Sequence, residues 1–407
     1  MTTTSPFSGK NILLGVTGSI ACYKAADLAS KLTQAGVKVQ TILTPSAEKF
    51  ISPLTFQSVT GQRAFVDKDL WGNEGHIQHI GLGLGADLLL IAPCSANTIA
   101  KIAHGIADTL LTLTALAARC PIMIAPAMDG GMFSNPATQE NLDILRKRGF
   151  IIMGPIEGRM ASGMIGLGRM MEVTDLYNHI RLALSQNGPL SNRHFIITAG
   201  GTQEPLDPVR VLSNRSSGKQ GYALAQAALD QGARVTLISA PANLPIPAGA
   251  VIFNVNTAKE MLQAVLSAIP GSDALIMAAA VADFQPIRSA RQKIKKDQGL
   301  PEIKFEYTPD ILEKVADFKA KTGFPRVVVG FAAESQDLVK NAQQKMINKH
   351  LDIIVANDIT SPLSGFTADT NQVTIIESTG VLEELPLLSK YEVAQTIIEK
   401  IKQRLSQ

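Results

Sequence analysis

Residues 11–44 read NILLGVTGSIACYKAADLASKLTQAGVKVQTILT and contain one complete strand–helix–strand pattern. The apolar run Asn11–Val16 predicts a buried strand, and Thr17-Gly18-Ser19 predicts the turn after it. Small and apolar residues then recur at helical spacing, and Val37–Leu43 predicts a second strand. A buried strand, a glycine turn and a helix in this order are typical of a parallel α/β sheet.

The same opening occurs a second time in residues 194–239, which read HFIITAGGTQEPLDPVRVLSNRSSGKQGYALAQAALDQGARVTLIS. Each half continues with short apolar runs separated by helical segments. A polar stretch, SQNGPLSNR, lies between the halves at residues 185–193. The pattern predicts an α/β protein with two tandem Rossmann-like, doubly wound parallel-sheet domains, residues 1–187 and 188–407.

Composition excludes several classes of function. The chain has 407 residues, of which 45% are hydrophobic, and its net charge of +3 does not suggest a protein that binds nucleic acid. Three cysteines without paired metal-ligand spacing argue against a disulfide framework or a zinc site, and a reducing, cytoplasmic location is expected. We see no signal peptide and no apolar run long enough to span a membrane, so no membrane partner is expected.

Turns rich in small residues and hydroxyls follow several predicted strands of the first half. They are TGSIA at residues 17–21, TPSA at 44–47, APCSANTIAKIAHGIADTLL at 92–111 and PAM at 126–128. Ligands of open parallel sheets bind at this edge. Together with His76-Ile77, NPATQENL at 135–142 and GLGRM at 166–170, these motifs resemble the FMN-dependent cysteine decarboxylases over residues 10–185.

The second half resembles the ligase that makes the decarboxylase substrate. The motifs are ITAGGTQEPLDPVR at residues 197–210, SNRSSGKQG at 213–221, AAAVADF at 278–284, KIKK at 293–296, PDIL at 309–312, VVGFAAES at 328–335 and AND at 356–358. The whole chain is therefore similar to the bifunctional phosphopantothenoylcysteine decarboxylase/phosphopantothenate–cysteine ligase family of coenzyme A biosynthesis.

The resemblance implies that the first half binds FMN and decarboxylates an amide-linked cysteine. Loss of CO₂ needs an electron sink, which FMN provides by oxidising the thiol to a thioaldehyde and later returning the electrons. His76 matches the catalytic histidine and can move a proton near neutral pH. The implied FMN-binding residues are Gly18, Ser19, Ile20, Thr44, Ser46, Ser95, Asn97, Ala127 and Met128.

Two positions depart from the family pattern. Asp129 stands where an asparagine amide usually faces the substrate carboxylate, and Ser162 stands where many members carry an acidic cysteine. The glycine-rich stretch Gly158–Met170 predicts a mobile loop that closes over substrate and flavin. Serine is too weak an acid to replace a thiol directly, so the final proton donor stays open. A protonated Asp129 is one candidate, and a relay through Ser162, water or His76 is another.

For the second half, the resemblance implies a CTP-dependent ligation of cysteine to 4′-phosphopantothenate through an acyl-cytidylate. Asn214 matches the asparagine of the acyl-cytidylate step, and Lys293 matches a lysine that covers the active site. Hard-cation chemistry implies Mg²⁺ with the triphosphate, but the sequence assigns no metal ligands. The implied CTP-binding residues are Gly200, Gly201, Ser217, Gly218, Asp283, Lys293, Pro309, Asp310, Ile311, Leu312, Phe331, Lys345 and Lys349.

The sequence also bears on two other interpretations. Asp129 and Ser162 are compatible with a ligase fused to a flavin-binding half that stalls at the enethiol or acts as a regulatory scaffold. A nicotinamide dehydrogenase is disfavoured because neither opening strand is followed by GxGxxG with an acidic residue at the end of the next strand. The family also implies a homo-oligomer built from decarboxylase trimers and ligase dimers.

Overall fold

The structure is a computed structural model that describes residues 5–71, 78–161, 163–295, 301–334, 337–358 and 368–406. The chain divides into two compact units, Thr4–Leu184 and Ser185–Gln407. His76 and Ser162 lie outside the described residues.

The first unit is an α/β unit. Its strands are β1 (Asn11–Val16), β2 (Lys38–Leu43), β3 (Ala64–Val66), β4 (Leu88–Cys94), β5 (Ile122–Pro126), β6 (Ile151–Ile152), β7 (Ile156–Arg159) and β8 (Ile165–Arg169). Its helices are α1 (Cys22–Gln34), α2 (Pro53–Thr60), α3 (Gln78–Gly85), α4 (Ala96–Ala103), α5 (Leu110–Ala117), α6 (Gly130–Ser134), α7 (Pro136–Lys147) and α8 (Val173–Ser185).

Six of these strands form one parallel sheet in the order β3-β2-β1-β4-β5-β6. Successive residues of β1 enter opposite layers: Leu14 packs in one buried apolar cluster with α1 and α8, and Leu13 packs in another with α4, α5 and α7. A strand that is buried on both faces has to be apolar where it is buried, which is why residues 12–16 of β1 show no polar alternation.

The second unit repeats this plan with additions. Its strands are β9 (His194–Ala199), β10 (Gln203–Pro205), β11 (Val211–Ser213), β12 (Arg234–Ser239), β13 (Val251–Asn254), β14 (Ala274–Met277), β15 (Phe284–Pro286), β16 (Phe305–Tyr307), β17 (Val327–Glu334), β18 (Ile353–Asp358), β19 (Thr370–Asn371), β20 (Val373–Glu377), β21 (Leu382–Glu384) and β22 (Leu388–Ser389). Its helices are α9 (Lys219–Asp230), α10 (Ala258–Ala268), α11 (Ile311–Thr322), α12 (Leu338–Asn348) and α13 (Lys390–Leu405).

The main sheet of the second unit has eight strands in the order β13-β12-β9-β14-β17-β18-β20-β21. The six strands from β13 to β18 are parallel, whereas β20 and β21 add to the edge in antiparallel pairs. The α/β class with tandem doubly wound sheets is confirmed. The antiparallel edge is an addition that the sequence pattern did not predict, and such an edge is common in doubly wound sheets.

Candidate functional site

The turn after β1 is joined to the turn after β4 at the carboxyl edge of the first sheet. The Thr17 hydroxyl donates to the Pro93 carbonyl at 2.9 Å and accepts from the Ser95 amide at 2.9 Å. Ser95 in turn begins α4, because its Oγ accepts from the Thr98 amide at 3.3 Å. One buried threonine therefore fixes the positions of Gly18-Ser19 and Ser95, which the sequence assigned to a single cofactor site.

The neighbouring turns are joined in the same way. The Ala127 amide donates to the Cys94 carbonyl at 3.1 Å, and the Thr44 amide donates to the Val16 carbonyl at 3.0 Å. A Cβ added at Gly18 would lie 2.6 Å from the Cβ of Ser46, so the first and second turns touch and only glycine fits there. The structure thus brings the predicted turns at residues 17–20, 44–47, 95–97 and 127–128 to one edge of the sheet.

The start of α1 suits an anion. Within the described part of the chain, no side chain caps this helix at its N-cap residue, Ala21. The Cys22 amide donates to the Ser19 carbonyl at 3.1 Å, and the Ala21 amide donates to the Ser19 hydroxyl at 3.2 Å. A helix start framed by serines and a crowded glycine matches the chemistry of a phosphate site, so the residues present fit the phosphate of FMN.

The glycine-rich stretch after Gly154 is a hairpin, which corrects the expected loop. Strands β7 and β8 pair in antiparallel fashion on either side of residues 160–164. The Gly168 carbonyl accepts the Met128 amide at 3.0 Å, so β8 rests directly on the turn that carries Ala127 and Met128. At Gly168 the glycine allows close backbone approach: a Cβ added there would lie 2.3 Å from the Met128 carbonyl oxygen.

Asp129 is the N-cap of α6. Its Oδ1 accepts the Gly131 amide at 3.0 Å, and the residue is half-buried beneath the hairpin. A carboxylate is a favourable cap at a helix start. The use of Asp129 as the acid that replaces the acidic cysteine of many family members stays a prediction, as do the roles of His76 and Ser162.

A cavity of about 700 Å³ lies at the carboxyl edge of the second sheet. It collects most of the residues predicted to handle CTP, from segments far apart in sequence. Those that line it are Asn214, Ser217, Gly218, Asp283, Pro309, Asp310, Ile311, Leu312, Phe331, Lys345 and Lys349. Gly200 and Gly201 lie just behind the lining: the Gly200 carbonyl accepts the Ala280 amide at 2.8 Å, and Gly201 pairs with Ala280.

Several polar groups of the cavity are already paired with protein atoms. Lys345 Nζ donates to the Phe331 carbonyl at 3.0 Å, and Lys349 forms an ion pair with Asp310. Burial raises the pKa of Asp310, but hydrogen bonds from Lys349 and from the Glu313 amide outweigh it, and the pKa lies below its usual value. Asp310 also caps α11.

Asn214 faces the Ala278–Ala282 turn. Its Nδ2 donates to the carbonyls of Ala280 at 3.3 Å and Val281 at 3.1 Å. To donate to a developing oxyanion of the substrate, the Asn214 amide therefore has to give up at least one of these two hydrogen bonds.

Lys293 is exposed and lies outside the lining that the described residues form. Its segment is nevertheless anchored. The Asp207 carboxylate accepts the Ile294 amide at 3.1 Å, and the Arg210 guanidinium donates both to Asp207 and to the Ile294 carbonyl. The Arg210 hydrogen bonds hold the pKa of Asp207 well below its usual range. Sequence reasoning missed this anchor, although the motif LDPVR contains both charged residues.

Sequence reasoning gave no role to several further lining residues, among them Lys219, Asn357, Asn371 and Lys390. The motifs SNRSSGKQG and AND contain Lys219 and Asn357, whereas no motif contains Asn371 or Lys390. No cluster of three metal-ligating His, Cys, Asp or Glu side chains occurs within the described ranges. None of the helices in those ranges is long and apolar enough to cross a membrane.

Comparison with known proteins covers both units. Residues 190–405 match the family model of the DNA/pantothenate metabolism flavoprotein C-terminal domain, and residues 2–185 match the flavoprotein family model. The chain is 44% identical over 397 residues to the coenzyme A biosynthesis bifunctional protein CoaBC of Bacillus subtilis (strain 168), covering 97% of each chain.

Two further similarities concern the whole chain and its second half. The chain is 39% identical over 404 residues to CoaBC of Mycobacterium tuberculosis (strain H37Rv), covering 96% of each chain. A crystal structure of the C-terminal domain of a CoaBC protein superposes with a TM-score of 0.46 at 36% identity, covering 54% of this chain and 99% of that one.

Proposed function

The chain belongs to the family of bifunctional coenzyme A biosynthesis proteins, and from that premise we propose the substrates, cofactors and residue roles of its two reactions. It is an enzyme with a flavoprotein decarboxylase half and a ligase half. We propose that the ligase half joins cysteine to 4′-phosphopantothenate with CTP and Mg²⁺, and that the other half decarboxylates the product to 4′-phosphopantetheine with FMN.

The observation that carries the ligase proposal is the cavity of the second unit. It gathers residues from eight separate segments, with cations, two phenylalanines and a helix start within one space. A nucleoside triphosphate needs this combination, because its base packs on apolar groups and its phosphates need ammonium groups and amides. Lys345 and Lys349 would bind the nucleotide. Asn214 would stabilise the oxyanion that develops during the acyl-cytidylate step.

The decarboxylase proposal uses the joined turns of the first unit. The start of α1, with Gly18 and Ser19, would hold the FMN phosphate, and the turn at Ala127-Met128 would lie beside the ring under the β7–β8 hairpin. Bound FMN supplies the electron sink that carboxylate loss requires. His76 would move the proton during this step, and Asp129 would face the substrate carboxylate.

We further propose that Asp129, protonated, donates the final proton in place of the acidic cysteine that many family members carry at position 162. Its position under the hairpin supports this assignment, since β8 contacts the turn immediately before it. A saturated thiol product with reoxidised flavin under anaerobic conditions is expected for the wild type, and Asp129→Asn should block the final reduction more than CO₂ release. Release of the enethiol with bleached flavin by the wild type would overturn the assignment and favour the stalled-flavoprotein alternative.

The oligomer and the location are proposals as well. By resemblance the first unit would form trimers and the second unit dimers, which native mass spectrometry would resolve. The three cysteines are free, which supports a cytoplasmic location.

The central test supplies the purified chain with 4′-phosphopantothenate, cysteine and CTP. Pyrophosphate release, the acyl-cysteine product and then CO₂ are expected. Asn214→Asp should slow acyl-cytidylate formation strongly, because it places a negative charge beside a developing negative charge. Turnover with ATP but not with CTP would refute the nucleotide assignment, and normal turnover of Asn214→Asp would remove that residue from the mechanism.

A further inference from the structure

One end of the ligase cavity is built from residues near the C-terminus that none of the predicted roles uses. Lys390, the first residue of α13, is only 7% exposed, and Asn371 in β19 is only 3% exposed. Both line the cavity, as does Lys219 at the start of α9. We call these three residues the Lys390 end.

The orientation of the Asn371 amide follows from its neighbours. The Lys390 carbonyl can only accept, and Gln220 Nε2 donates to it at 3.1 Å. The other amide atom of Gln220, Oε1, then accepts from Asn371 Nδ2 at 3.4 Å. These two hydrogen bonds identify Oδ1 as the amide atom of Asn371 that does not bond to Gln220. Oδ1 is buried and has no hydrogen-bond partner in the part of the chain that the structure describes.

A buried acceptor without a donor costs free energy, so it indicates a ligand that brings the donor.

The Lys390 end also carries two ammonium groups. Lys219 Nζ pairs with the Asp369 carboxylate at 2.6 Å, and Lys390 lies near the same carboxylate. Burial lowers the pKa of Lys390, and the neighbouring Lys219 cation lowers it further. A bound anion would raise this pKa again.

The first turn of α9 adds backbone donors. This helix has 12 residues, and within the described ranges no side chain caps its start at Gly218. The amides at a helix start attract anions, and here they open onto the same cavity as Lys390.

We propose that the Lys390 end binds a phosphate group that carries hydrated Mg²⁺, namely the terminal phosphates of the nucleotide. Lys390, Lys219 and the start of α9 would contact phosphate oxygens, and Asn371 Oδ1 would accept a hydrogen bond from a metal-bound water. Mg²⁺ in such complexes keeps several waters and is held mainly by phosphates. A phosphate monoester alone would satisfy the cations but would leave the buried acceptor without a donor, which is why the triphosphate is favoured over 4′-phosphopantothenate.

The inference rests on the proposed ligase function and is tested on the full chain with Lys390→Met. Methionine keeps the length and volume of the side chain and removes the charge. The matched control is Lys402→Met, which lies on the same helix and pairs with Glu399. We expect the KM for Mg·CTP to rise tenfold or more, as for loss of one charge-assisted hydrogen bond, with the KM for 4′-phosphopantothenate and cysteine unchanged. The control should retain all three constants.

Three results would overturn the inference. An unchanged KM for Mg·CTP in Lys390→Met would remove the residue from the site. A rise confined to 4′-phosphopantothenate would assign the phosphate to the acid substrate. A rise in all three KM values together with a lowered melting temperature would reduce Lys390 to a structural residue. If the wild type itself does not use CTP, the proposed function has failed, and direct titration with Mg·CTP still tests the subsite.

A second variant tests the acceptor. Asn371→Asp keeps the oxygen and adds a negative charge. If Oδ1 faces a metal-bound water, the variant should bind Mg·CTP within about threefold of wild type but lose metal-free CTP, because the added charge repels bare phosphate. Equal loss with and without Mg²⁺ would show that Oδ1 faces phosphate directly and would refute the magnesium assignment.

Discussion

Gly168→Ala should detach the β7–β8 hairpin from the turn that it covers. A Cβ at position 168 would lie 2.3 Å from the Met128 carbonyl oxygen, 3.0 Å from Met160 Sδ and 3.1 Å from the Gly130 amide nitrogen. Two of these three atoms belong to the backbone, so a change of side-chain rotamer cannot relieve the contact. The strand has to move away, and the hydrogen bond from the Met128 amide to the Gly168 carbonyl is lost with it.

The size of the effect follows from two contributions. Overpacking against backbone costs about 1–3 kcal/mol. Loss of one backbone hydrogen bond costs about 0.5–1.5 kcal/mol. The docking of the hairpin should therefore weaken by about 2–4 kcal/mol, which corresponds to a factor of about 30 to 1,000. Because the hairpin can detach without unfolding the sheet, global stability should change less than docking does.

Native-state hydrogen exchange of the Met128 amide measures this docking directly. The matched control is Gly166→Ala in the same strand, where a Cβ would meet only Met160 Cε at 3.7 Å. We expect protection of Met128 to fall at least thirtyfold in Gly168→Ala and to stay within about threefold in the control. The rate of CO₂ release should likewise fall more in Gly168→Ala than in Gly166→Ala. Equal protection in the two variants would refute the argument that β8 positions the Ala127-Met128 turn.

Two further predictions concern buried charges. Lys24→Met should lower the stability of the first unit by about 1–3 kcal/mol, because Lys24 Nζ is buried and donates to the Met170 carbonyl at 3.2 Å, whereas the exposed Lys31→Met should change it by less than about 0.5 kcal/mol. Urea unfolding measures both, and equal midpoints would contradict the prediction. Asp207→Ala should expose the Ile294 amide to hydrogen exchange at every pH. In the wild type this amide should stay protected as the pH falls to about 4, since the lowered pKa of Asp207 keeps its carboxylate ionised until the pH falls through that lowered value. Loss of protection near pH 5 in the wild type would contradict this.

The parts of the site that the sequence predicted well are turns at the ends of buried strands. Uninterrupted apolar runs such as Asn11–Val16 mark a strand that is buried on both faces, and the residue after its last apolar position has to lie at the carboxyl edge. Thr17, Thr44 and Ser95 follow such runs, and the structure joins the turns that contain them. Periodicity alone was sufficient for this step.

The hairpin shows where sequence pattern is ambiguous. Glycines at residues 158, 166 and 168 are compatible with a flexible loop and equally with a strand that is pressed against backbone. Only the partner decides between these two, and the partner of Gly168 is Met128, which is 40 residues away in sequence. The same limit explains why Lys390 was missed: its neighbours Lys219 and Asn371 are brought together by the sheet, and no local motif records that contact.

The distribution of charge in the ligase cavity indicates which end attracts the substrate. Lys349 is already paired with Asp310, and Lys345 donates to the Phe331 carbonyl. A phosphate that binds there has to exchange one ion pair for another, so the net gain is small. At the Lys390 end, Lys219 is paired with Asp369, but that carboxylate is 88% exposed, so water can solvate it when a phosphate takes its place. The attraction for a polyanion should therefore be stronger at the Lys390 end, while the Lys349–Asp310 pair determines how the rest of the nucleotide is oriented.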